Sequence, residues 1–154
     1  MPKWTRLAAF TAALLALPVS AGWDEYKPST LQAILTSARW DAPCDRCFTP
    51  GLPYLVKVTF EGRTRPTPPH RQQFIAEWLK SIGSPAPAAM FGNEIAVREA
   101  DREYWLPIQA VLIPPLRREV LPGSEVSLYV VLAGATDWQK ANTDVVLLVN
   151  EFRK

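Results

Sequence analysis

Along residues 54–61 apolar and polar side chains alternate: Tyr54, Val56, Val58 and Phe60 fall on one face, Lys57, Thr59 and Glu61 on the other. A period of two with one buried face predicts a β-strand. Two later stretches, residues 126–132 and 145–149, are almost continuously apolar, as strands covered on both faces would be. Ile95 and Val97 alternate with polar neighbours, and Tyr104, Leu106 and Ile108 do so after a charged turn at Glu99-Ala100-Asp101-Arg102, which predicts a hairpin. The period changes elsewhere. Phe74, Ile75, Trp78, Leu79 and Ile82 form a helical stripe that opens at Pro68-Pro69 and closes at Gly83. Leu31, Ile34, Leu35 and Ala38 form a shorter one after Ser29-Thr30-Leu31-Gln32, a capping-box pattern with Ser29 at the N-cap. A third short helix is expected after Pro114-Pro115, followed by a turn at Pro122-Gly123.

Local signals make two stretches loops. Residues 41–53 hold three prolines, a glycine and both cysteines, and residues 134–144 are polar around Trp138. The order is therefore helix, strand, helix, strand, strand, short helix, strand, strand. Five mostly antiparallel strands with a helix between the third and fourth resemble a partly open small barrel of the OB type, within an α+β class. The helix after the first strand departs from that pattern. It makes the middle of the chain resemble a ferredoxin-like β-α-β-β-α-β unit plus one strand, which is the alternative. The short, proline-interrupted second helix of that unit favours the small barrel.

The first 21 residues carry a different signature. Lys3 and Arg6 precede an Ala- and Leu-rich run over residues 7–17, Pro18 interrupts it, and Val19-Ser20-Ala21 offers small residues at cleavage positions. This is the tripartite pattern of a secretory signal peptide, and the run is shorter than the roughly 20 residues a membrane span needs. The expected organisation is a signal peptide over 1–21, an N-terminal helix and disulfide loop over 22–53, and a single globular β-rich domain over 54–154. The chain has 17 Lys and Arg against 15 Asp and Glu, and Lys3 and Arg6 account for the whole excess. The remainder is balanced, which argues against nucleic acid as a partner, since that affinity comes largely from basic contacts to phosphate.

Candidate chemistry is sparse. Cys44-Asp45-Arg46-Cys47 is the one recognisable motif. In an oxidising compartment its first reading is a structural disulfide; its sharper reading is a thiol–disulfide redox site, because C-x-x-C spacing allows a thiolate of lowered pKa. Such thiolates usually sit at a helix N-terminus after a strand, whereas here Phe48-Thr49-Pro50-Gly51 follows the pair and a strand comes after it. Metal handling by the pair lacks ligands: zinc takes four, and the chain offers two Cys and one His. Covalent haem needs a His at position 48, which is Phe, and seven scattered glycines form no phosphate-binding loop. His70, the one imidazole, reads as a solvated residue in the first turn of its helix. Glu94, Glu99, Glu103 and Glu151 are paired-carboxylate candidates only in that such pairs need not be close in sequence.

Aromatic and basic residues outside the predicted core point to binding. If Tyr104, Leu106 and Ile108 face inward, Trp105 faces outward, where it could stack on a ligand or lie under the Pro-Pro helix. Trp138 in its loop and Arg63 and Arg65 beyond the first strand are further partner-surface candidates. The expectation is an exported, soluble, periplasmic or secreted envelope protein, more a non-catalytic binding or accessory module than an enzyme. It needs no cofactor or metal, and its partner is an envelope protein or a glycan. The alternative is a periplasmic thiol–disulfide oxidoreductase or metal-handling protein using Cys44 and Cys47.

Overall fold

The computed structural model describes residues 22–154; the signal-peptide expectation lies outside the described residues. The described residues are mixed α+β, with one six-stranded sheet and three helices. In chain order these are β1 (Lys27–Ser29), α1 (Leu31–Ser37), β2 (Cys44–Pro66), α2 (Pro69–Ser81), β3 (Asn93–Glu99), β4 (Arg102–Ile108), α3 (Ile113–Glu119), β5 (Glu125–Trp138) and β6 (Asp144–Arg153). The neighbour order is β1-β2-β3-β4-β6-β5, and β5 pairs again with β2. The pairings thus run round in a ring of five strands, with β1 attached in parallel to β2 at Tyr54 to Val56. All other ladders are antiparallel except the single parallel contact Ile108–Val149 between β4 and β6.

Five of the strands match the expected ones; β1, three residues long with a central proline, is too short to leave a periodic signal. A split βαβ unit holds the strands on either side of its helix parallel. Here α2 joins β2 and β3, which pair directly and antiparallel, so the ferredoxin-like alternative does not describe the connection.

Three boundaries move. The expected loop over 41–53 is strand from Cys44 onward, because Cys44 to Phe48 pair with Trp138 to Gly134 and Leu52 resumes the ladder opposite Leu132. The interruption at 49–51 absorbs Pro50, and Thr49 Oγ1 bonds the carbonyl of Leu132 across it. The loop expected over 134–144 shrinks to five residues, since β5 continues to Trp138. A close approach of β2 to β5 requires Gly134: a Cβ there would lie 1.8 Å from the Cys47 carbonyl oxygen. Third, the α1 N-cap is Thr30, not Ser29; Thr30 Oγ1 accepts from Ala33 N at 3.0 Å. Gln32 does not reach back to complete a capping box. Glu99, at the β3–β4 turn, instead takes the Leu31 and Gln32 N–H groups at 2.7 and 2.9 Å.

Two apolar clusters sit on the two faces of the sheet. Inside the ring, Val56, Val58, Phe60, Ile95, Val97, Leu106, Ile108, Val126, Leu128, Val130, Leu147 and Val149 meet, with Leu31 and Ile34 of α1 and Leu116 of α3 packed among them. Outside it, Phe74, Ile75, Trp78 and Leu79 of α2 cover Tyr129, Val131 and Ala133 of β5 and Val146 and Leu148 of β6. Burial on both sides explains the continuous apolar runs of β5 and β6. Among the described residues no helix is long and apolar enough to cross a membrane.

Candidate functional site

Among the described residues, no helix lies over the centre of the outer face of β2, β3 and β4. Ile95 and Val97 point into the ring, so Glu94, Ala96 and Arg98 point out, opposite Pro107, Trp105 and Glu103 of β4. On β2 a bulge spends four steps between Phe60 and Thr64 against two on β3; the even difference keeps Arg63 and Arg65 on the outer face. Gly62 makes this bend possible with a φ of +79°, and a Cβ there would strike the Pro122 ring at 2.6 Å.

The side chains on this face form a chain of alternating charge about one aromatic ring. Arg98 Nε donates to Glu61 at 3.0 Å, and Arg98 and Arg63 both pair with Glu103, the former at 3.9 Å. The Arg63 and Arg65 guanidinium carbons lie 5.3 and 4.2 Å from the Trp105 ring centre. Arg65 Nε donates to Glu94 Oε2 at 2.7 Å. Glu94 is fully buried, and its other oxygen accepts from Arg71 Nη1 at 2.6 Å. Arg71, in the first turn of α2, also donates to the Trp105 carbonyl at 2.9 Å and clamps Asp144 through Nε and Nη2, each at 2.7 Å.

Burial works against the Arg71 charge, but the hydrogen bonds and charges of Asp144 and Glu94 outweigh it and raise its pKa further. Hydrogen bonding to Arg98 holds the Glu61 carboxyl below the usual range.

Beyond Asp144 lies an open cleft of about 400 Å³ between α2 and the β5–β6 turn, lined by Asp45, Arg46, His70, Gln73, Asn142 and Asp144 among others. His70 is exposed and its Nε2 is 3.4 Å from Asp144 Oδ2. Arg46 pairs with Glu77 and Lys140 with Asp45, so the charges around the cleft are internally matched.

Of the residues singled out from sequence, Arg63, Arg65 and Trp105 come together. Trp138 does not join them: it ends β5, is 9 % exposed, and gives its N–H to the Trp40 carbonyl at 3.3 Å. It packs beside Cys44 and Cys47, which lie at disulfide distance with Cα atoms 5.8 Å apart. Both cysteines are on a strand, neither of them in the first turn of a helix, and Cys47 is 3 % exposed. Glu99 caps α1, and Glu151 sits on β6. Arg71 and Asp144 carried no local signal that they would complete the site; their partners are 23 and 73 residues apart in the chain. Among the described residues no group of three or more His, Cys, Asp or Glu is arranged to hold a metal ion.

Set against protein-family models, curated proteins and solved structures, the chain matches none of them.

Proposed function

We propose that this is an exported, non-catalytic binding module that contacts another envelope protein through the outer β2–β3–β4 face, with Trp105 at its centre. The observation that carries the reading is the stacking of Arg63 and Arg65 about a Trp on an uncovered sheet face. Trp and Arg are the residue types that most often dominate binding energy at protein interfaces. A protein is favoured over a glycan because Arg65 already lies over the ring on which a sugar would stack. It is favoured over nucleic acid because each cation of the face has a carboxylate partner.

An OB-like small barrel is part of the same reading. The strand that opens the ring, β2, pairs with β3 and β5, the third and fifth ring strands β4 and β6 run parallel, and α3 separates β4 from β5. In that architecture ligands meet the face of the second and third strands, here β3 and β4, and Trp105 stands on β4. The insertion of α2 between β2 and β3 is a departure from it.

Photo-cross-linking in envelopes tests the proposal, with a benzoylphenylalanine placed at position 105 and, as control, at exposed Val111. A discrete adduct is expected from position 105 and not from 111, and the Trp105→Ala protein should lose the same partner in pull-down. Equal adducts from both positions, or capture unaffected by Trp105→Ala, would remove the face from consideration.

A further inference from the structure

Arg65 differs from the other cations of the face in how its donors are used. Nε is committed to the buried Glu94 carboxylate at 2.7 Å and the guanidinium carbon lies 4.2 Å above the Trp105 ring centre, so the plane of the group is set from two directions. Neither Nη nitrogen of Arg65 donates a hydrogen bond to the described residues, and the side chain is 42 % exposed. Glu94 is itself held by Arg71, which Asp144 clamps in turn, so the support beneath Arg65 is a continuous network.

A guanidinium loses conformational freedom when it engages a ligand, and most of that cost is already met here by the fold. What remains free is the planar two-nitrogen fork that matches the two oxygens of a carboxylate. We infer that Arg65 is a preorganised receptor for a single carboxylate, an Asp or Glu side chain on the protein partner, which docks on the two Nη groups with its stem against Trp105. This inference rests on the contact-surface reading above and names the partner's chemistry. The surroundings select a monoanion: Glu61, Glu94 and Glu103 share the face, and a phosphate dianion would meet their repulsion.

The test is an NMR titration at low salt following the Arg65 Nε–H and Trp105 indole N–H resonances. The probes are the acetylated, amidated pentapeptide Thr-Val-Glu-Val-Thr and its counterparts with Gln or phosphoserine at the centre. The Glu peptide should shift both resonances saturably, and the Gln peptide should leave them in place. Arg65→Lys, which keeps the charge and loses the fork, should weaken the Glu peptide by at least about tenfold. Trp105→Phe, which keeps a ring beneath Arg65, should bind nearly as wild type and guards against a loss due to unfolding. No shift with the Glu peptide, an equal shift with the Gln peptide, tighter binding of the phosphoserine peptide, or full binding by Arg65→Lys would each overturn the inference. If these fail while Trp105→Ala still releases the cross-linked partner, the contact surface stands without its carboxylate. If the peptide binds and that release does not occur, the contact-surface reading falls instead.

Discussion

The outer face of β5–β6 and the outer face of β2–β3–β4 belong to one sheet and back onto one interior core, yet only the first is covered. Tyr129, Val131, Ala133, Val146 and Leu148 present an apolar surface, and α2 buries it with Phe74, Ile75, Trp78 and Leu79. Arg63, Arg65, Glu94, Arg98 and Glu103 present charges that pair with one another about the Trp105 ring, and no helix of the described residues lies across that ring. Arg71 marks the border: its helix covers one face and its side chain reaches across to the other. Apolar surface must be removed from water and therefore recruits cover from its own chain. A self-neutralised polar face has no such requirement, and surface ion pairs of this kind contribute little to folding, so it stays available for a partner.

The covered face should break most severely. Trp78 is fully buried and gives its N–H to the Thr49 carbonyl at 2.9 Å. Trp78→Ala should cost about 3–5 kcal/mol of unfolding free energy, read from urea denaturation, and loosen the whole domain.

At the border, Glu94→Gln keeps the shape and removes the charge shared by Arg65 and Arg71. A loss of about 2 kcal/mol is expected, because hydrogen bonds to charged groups are among the stronger ones and Arg71 keeps only Asp144 as a charged partner. A change below a few tenths of a kcal/mol would mean that the buried carboxylate is dispensable to the fold.

Trp105→Ala should do little to the fold, about 1 kcal/mol from the lost cation–π contacts. It should nevertheless abolish the cross-linked partner. A stability loss as large as that of Trp78→Ala would erase the distinction between the two faces.

The smallest effect concerns Glu151, whose carboxyl is pushed up, chiefly by burial, from the ordinary 4.5. A raised carboxyl pKa means that the folded state holds the proton more tightly than the unfolded chain. Stability is therefore lost as pH rises from the ordinary value through the raised one, and the full cost is present at neutral pH. Glu151→Gln should raise the melting temperature slightly at pH 7 and leave it unchanged at pH 3. Glu61 has the opposite sign: held low by Arg98, it contributes above its unfolded pKa and loses that contribution on acidification below about pH 4.

Much of the architecture was legible locally. The alternation through Phe60, the stripe from Phe74 to Leu79, the turn at Glu99 to Arg102 and the twin apolar runs of β5 and β6 all reappear where their periods placed them. The outward direction of Trp105 followed from the inward neighbours on its strand. The first half of β2 was not legible, since prolines and cysteines are loop signals and only the partner strand overrides them. Trp138 was misplaced for the same reason: a polar neighbourhood in sequence is a buried one beside Trp40 and the cysteines.

By itself, then, the sequence determined the periodic cores of five strands and the three helices, because periodic burial is written in each residue's own side chain. It also determined that Glu94, Arg98, Glu103 and Trp105 would share the side of β3 and β4 opposite Ile95, Val97, Leu106 and Ile108. Tertiary structure alone decided that Glu94 would be buried between two arginines, that Asp144 would complete the clamp, and that Arg65 would keep two donors free over Trp105. Those outcomes depend on which distant residues the ring of strands brings within hydrogen-bond reach, and a charge carries no local mark of the partner it will meet.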